Sequence, residues 1–237
     1  MKSEHSHDKS DIIARIASEG KRGHLRDLIY GGLDGAVTTF AIVAGVQGAG
    51  LSPTIIITLG IANVLADGFS MAAGNYSGTK AELDDVKRLR AIEERHIETA
   101  PEGEREELRQ ILRLKGLEGE VLELATDAIA AKRSAWINMM LVDEYGMSPV
   151  DPAPFRAAVA TFSAFMLAGM IPLLPFLFGV ANAFATATVA TGCVFFTIGA
   201  LKSRWSLAPW WRSGAETLLI GASAAAIAFF VGSLFHQ

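Results

Sequence analysis

Asp34 is the only charged residue between Asp27 and Asp67. It lies roughly 10 Å into an apolar run at 1.5 Å per residue. A carboxylate at that depth of a bilayer costs at least ~2.5–3.5 kcal/mol, so it should face protein, water or an ion. The alternative is a structural carboxylate hydrogen-bonded to Thr38 or Thr39. A second apolar run carries Asn63, Asp67, Met71 and Asn75 at four-residue spacing, which puts an amide, a carboxylate, a thioether and another amide on one helical stripe. Such a stripe is a poor lipid face and a good lining for a cation path. If the two runs form antiparallel helices, Asp34 and Met71 reach one depth and offer a hard oxygen beside a soft sulfur. That pairing suits a borderline first-row ion better than Ca²⁺ or Mg²⁺.

A different chemistry occupies the stretch that follows. Glu93 and His96 are three apart, as are Glu104 and Glu107, and Met140 and Glu144 are four apart, so each pair shares a helical face. Acid and imidazole groups converging from several helices are the material of carboxylate metal sites, in which Glu-x-x-His pairs recur. Taken alone, Glu-rich helices are more often solvated faces.

These residues need two kinds of scaffold. Hydrophobic residues make up 51% of the chain, charged ones 19%, and the mean hydropathy is +0.33. Five segments, about 28–49, 54–76, 157–178, 182–201 and 215–235, are long and apolar enough to span a bilayer. All 21 Lys and Arg fall in 1–26, 77–156 and 202–214, which five spans place on one side. The positive-inside rule then sets the N-terminus in the cytosol and the C-terminus outside. Trp205, Trp210 and Trp211 flank the last of these segments as an interfacial aromatic belt, and Arg212 with Glu216 reads as a salt bridge at the membrane edge. Gly31 and Gly35 form a small-xxx-small pair suited to close helix approach, against another chain or against span two.

Residues 80–145 hold 16 Asp and Glu against 11 Lys and Arg. This acidic insert reads as three helices: an extension of span two to about Thr99, one over 103–115, and one over 118–145, with Pro101 as the first breaker. The expected class is therefore an all-α integral membrane protein of five spans, with a three-helix cytosolic insert between the second and third. Its segments are a cytosolic stretch 1–26, spans one and two over 27–79, the insert 80–145, and a linker with spans three to five over 146–237. Residues 11–20, with Ile12, Ile13 and Ile16, suggest an interfacial helix. His5 and His7 are weak metal candidates in a polar tail without a secretory signal. The single Cys193 excludes an intrachain disulfide or cysteine cluster. With no G-x-x-x-x-G-K loop, ATP chemistry is not expected, and nothing points to nucleic acid.

The blocks Asp34-Gly-Ala-Val-Thr-Thr-Phe-Ala, Ala66-Asp-Gly-Phe-Ser-Met-Ala-Ala-Gly-Asn-Tyr76 with Lys80-Ala-Glu82, and Glu104-Arg-Glu-Glu107 resemble the vacuolar iron transporter family over roughly residues 25–235. The resemblance implies a homodimer with an ion path lined by the first helices. It also implies a cytosolic metal-binding domain, and Fe²⁺ or Mn²⁺ carried out of the cytosol in exchange for protons, with no permanently bound cofactor. By the same resemblance Asp34 and Met71 are the pore ligands, and Glu93, Glu104, Glu107, Glu144 and Met140 the cytosolic ligands. His96 stands where a glutamate is usual, Leu141 replaces a methionine, and Asn63 stands where a membrane glutamate can occur. An amide cannot titrate, so Asp67 or Asp34 would have to carry the proton past Asn63, and both Asn63 and Asp67 belong to the expected path. The host membrane is expected to be a prokaryotic plasma membrane, or a vacuolar one in a eukaryote. Two other readings fit the same residues, a membrane-anchored di-iron oxidase and a metal-storage or sensing scaffold without flux.

Overall fold

The computed structural model describes residues 6–18 and 23–236, and its described residues form helices joined by turns. After a short helix α1 (Lys9–Ser18) come α2 (Leu25–Gly48) and α3 (Pro53–Thr99). The helices α4 (Pro101–Leu114), α5 (Gly119–Ala130) and α6 (Arg133–Asp143) follow, then α7 (Pro154–Met170), α8 (Leu174–Leu177), α9 (Ala183–Lys202) and α10 (Trp210–Ser233). His5 and the side chain of Ile16 lie outside the described residues.

Five stretches are long and apolar enough to cross a membrane: Leu25–Gly48, Pro53–Thr99, Pro154–Leu177, Ala183–Trp205 and Trp210–Ser233. Each expected span is present, and the boundaries shift by about a helical turn. Span three is interrupted because Pro172 and Pro175 lack the amide proton that an α-helix needs and crowd the preceding turn. The chain divides into two compact units. One is built on residues 23–77 and 154–237, and the other includes residues 78–153. The helix α3 contributes residues to both.

In the membrane unit α2 is packed backbone to backbone against its neighbours. A Cβ added at Gly31 would run into the carbonyl of Thr161, and one at Gly35 into Phe165, both on α7. Gly48 meets α10 at Phe229, and Gly232 of α10 meets Gly45 in the same manner. The Gly31/Gly35 row thus serves close approach within the chain, with span three rather than span two as its partner. Phe40, Val43, Ile56, Val64, Leu173 and Phe176 fill the core between these helices. The expected Arg212–Glu216 salt bridge is not among the ion pairs of the described residues; both side chains are exposed.

The insert differs from the three-helix expectation, because the stretch 118–145 is two helices, α5 and α6, separated at Ala131–Lys132. Leu122, Thr126, Trp136 and Met140, all buried, would still fall on one face of a straight helix at 3.6 residues per turn, so periodicity gave no sign of a break. Length supplies the physical reason. A single helix over 118–145 would run ~42 Å, twice the ~21 Å of the 14-residue α4. By breaking, α5 and α6 both pack on α4, with Leu108, Leu112, Leu122, Trp136 and Met140 in one core.

Candidate metal sites

Leu89, Glu93 and Ile97 occupy one row of α3 at four-residue spacing. Leu89 and Ile97 belong to the insert's apolar clusters, so Glu93 is drawn in with them and is only 1% exposed. On α4, Glu104 lies one turn before Leu108 on the buried face and is 4% exposed. It also sits in the first turn of that helix, where the unsatisfied amides favour a carboxylate. His96 Nδ1 lies 3.1 Å from Glu104 Oε1. Glu93, His96 and Glu104 can place one ligand atom each within 4.8 Å of one another. His96 is half exposed and opens the group to solvent.

Burial and mutual repulsion dominate the electrostatics of this group. Oε2 of Glu93 and Oε2 of Glu104 are buried without a hydrogen-bond partner, which is costly for carboxylates. The two can satisfy each other only if one retains its proton. Burial first, then the charges of Glu93 and Glu107, the close approach of the Glu93 carboxyl and the charge of Glu144 push Glu104 up to about 8. Glu144 is also raised, by burial and then by Glu93 and Glu107, against the lowering effects of Tyr145 and His96. Glu107 and Glu144 are exposed and add to the field around the buried pair. Met140 is fully buried among Leu108, Leu112, Leu122 and Trp136.

Tyr145 completes the group and was not apparent from the sequence. Its ring packs on Leu89, Ile137 and Leu141, and its hydroxyl donates to Glu93 Oε1 at 2.9 Å. Gly146, at φ +67°, reverses the chain so that the Met147 amide bonds back to the Leu141 carbonyl at 2.9 Å. That turn fixes Tyr145. Burial and the hydrogen bond to Glu93 push the phenol up, keeping it a donor. Two oxygens and one imidazole nitrogen form a donor set for a divalent first-row ion.

The polar residues of the spans are arranged otherwise. Asp34 is half-buried, and among the described residues no side-chain donor reaches its carboxylate; Thr38 donates instead to the Asp34 backbone carbonyl at 2.9 Å. Asp67 is exposed and close enough to Asp34 for their charges to interact. Asn63 donates to the hydroxyls of Thr38 and Thr39 at 3.3 and 3.4 Å, so its amide is tied to the helix that bears Asp34. Met71 is half-buried. The last rung of the stripe, Asn75, binds Asp27 Oδ1 at 2.9 Å and Thr161 Oγ1 at 2.7 Å, joining α2, α3 and α7. His24 Nδ1 lies 3.2 Å from the other oxygen of Asp27. The tie through Asp27 and Asn75 was not read from the sequence, although a charged residue at the mouth of a span was the available signal.

Comparison with known proteins finds relatives along most of the chain. Residues 25–233 match the model of the VIT family. "Vacuolar iron transporter 1" of Arabidopsis thaliana is 35% identical over 218 residues, covering 90% of this chain and 86% of that protein. "Vacuolar iron transporter 1" of Eucalyptus grandis is 32% identical, covering 91% and 90%. "Vacuolar iron transporter" of Toxoplasma gondii is 30% identical, covering 95% and 81%.

Proposed function

The chain belongs to the VIT family, and from that premise we propose that it moves Fe²⁺, and Mn²⁺ by the same chemistry, out of the cytosol in exchange for protons. It is a membrane transporter and not an enzyme. The observation that carries the metal reading is the pair of buried, unpartnered carboxylate oxygens of Glu93 and Glu104 beside His96. Their desolvation is offset when a divalent ion takes the place of the shared proton.

In this reading the insert lies in the cytosol, as the placement of every Lys and Arg supports. Glu93, His96 and Glu104 capture the ion, and the exposed Glu107 and Glu144 steer it by their charge. Asp34 receives it within the membrane, where no side-chain donor among the described residues competes for its carboxylate, and Met71 supplies a polarizable sulfur. Asp67, close to Asp34, offers a second negative charge on the path and a place for the counter-moving proton. Asn63 remains an uncharged amide, so the proton step falls to the aspartates. The homodimer that the sequence resemblance implies would have to use a face of α2 other than the Gly31/Gly35 row, which α7 already occupies.

The deciding experiment is flux of Fe²⁺ and Mn²⁺ in proteoliposomes of the purified chain, with and without an opposing pH gradient, using Asp34→Ala as control. Gradient-stimulated flux that disappears in Asp34→Ala is the expected result. Metal bound by the protein without any flux would overturn the transport reading in favour of a storage scaffold, and flux indifferent to the gradient would overturn the proton exchange.

A further inference from the structure

On the side of α2 turned away from Asp34, the membrane unit carries an open groove of about 400 Å³. It is lined by Leu28 and Gly32 from α2, Ala164 from α7, Ile171 just after α7, and Cys193 and Ile198 from α9, with no charged residue among its lining. Gly32, Ala164 and Ile198 lie at one level: a Cβ on Gly32 would stand 3.5 Å from Ile198 Cδ1 and 3.9 Å from the Ala164 Cβ. Ile171, just past the end of α7, is about two turns on in one direction, and Leu28 one turn along α2 in the other. At 1.5 Å per residue the groove is ~16 Å long, close to the ~15 Å depth of one leaflet of a 30 Å hydrocarbon core.

The end near Leu28 is cationic. Arg156 of α7 precedes Leu167 by three turns on the same row, and Lys202 of α9 lies one turn beyond Ile198. Both are exposed, and neither appears among the ion pairs of the described residues. Trp205, 66% exposed, stands one turn further out, at the height where indole rings favour the headgroup boundary. We propose that this groove holds an acyl chain of an anionic phospholipid, whose phosphate is met by Arg156 and Lys202. An acyl chain brings no polar group into an apolar slot, and a phosphate gives these two exposed cations a counter-charge. Which leaflet this is follows from the orientation proposed above; the binding itself does not depend on transport.

The test is native mass spectrometry of the full chain in detergent with added phosphatidylglycerol or phosphatidylcholine, with thermal unfolding as a check on folding. Gly32→Leu fills the groove at a position where a Cβ makes only ordinary contacts. The double variant Arg156→Gln/Lys202→Gln keeps the groove and removes the charge at two exposed sites. The wild-type chain is expected to retain phosphatidylglycerol about thirtyfold better than phosphatidylcholine, the order of effect for two cations at a headgroup. The double variant should lose that preference, and Gly32→Leu should lose both lipids. Equal retention of the two lipids by the wild type overturns the proposal. So does a Gly32→Leu chain that keeps its lipid, or one whose lipid is unchanged while a dimer falls apart, which would make the groove a contact with a second copy. If Gly32→Leu does not fold, the double variant decides alone.

Discussion

Glu93 and Glu104 are sealed in the insert, within reach of each other and of His96. Asp34 and Asp67 stand in the spans, one half-buried and one exposed, with only their charges in common. The first arrangement concentrates ligands and leaves oxygens unpaired, so binding a cation removes a standing cost. The second supplies one carboxylate per helix and ties the nearby amide Asn63 to hydroxyls. A site that collects an ion must hold it, and a site that passes one must release it. In the proposed function, the contrast between a dense and a sparse donor set would divide those tasks between two parts of one chain.

The contrast is broken most directly by removing a sparse ligand. Asp34→Ala is expected to abolish flux in proteoliposomes while metal binding by the insert persists in equilibrium titration. Normal flux in that variant would show that the sparse set is not the path. Next in size, Glu93→Gln with Glu104→Gln should weaken Fe²⁺ or Mn²⁺ binding by at least about tenfold, on the scale of losses at metal sites. The same pair should raise the melting temperature of the metal-free protein, because a neutral buried group replaces a charged one.

The third prediction sharpens the comparison through pH. Glu104 is raised in the folded state to about 8 from 4.5, so its contribution to stability is fully present below pH ~4.5 and lost as pH rises through ~8. Metal-free protein in a chelator should therefore melt at a lower temperature at pH 8 than at pH 5.5. Metal affinity should run the other way and rise over the same interval, since the ion must displace that proton. Parallel trends in stability and affinity would contradict the coupled-carboxylate account. Smallest of all, Arg109→Ala removes ion pairs to Glu106 and Glu123 on the insert surface. It should leave both melting temperature and metal binding unmoved, as exposed pairs usually do.

The spans were legible because a bilayer demands length and apolarity together, and both are visible in a linear sequence. Glu93, His96 and Glu104 were legible as pairs on helix faces, but their meeting depends on how α4 packs against its neighbours, which spacing does not encode. The break between α5 and α6 was hidden because their apolar residues stay in phase across Ala131–Lys132. Tyr145 was hidden for another reason: it acts from a turn set by Gly146, where no helical period applies. Asn75 was seen as part of a stripe, yet its bonds to Asp27 and Thr161 join three helices and required the fold.

The glycine contacts of α2 carry a mechanical consequence. With Gly31 and Gly35 set on the backbone of α7, and Gly45 and Gly48 on that of α10, α2 cannot roll about its axis without driving main chain into main chain. In the span portion of α3 the corresponding glycines meet only side chains, Gly60 against Leu173 and Gly68 against Phe162 and Phe165, and side chains can change rotamer. In the transport proposed above, rocking that exposes Asp34 alternately to the two faces of the membrane would therefore fall to α3 rather than to the backbone-packed α2.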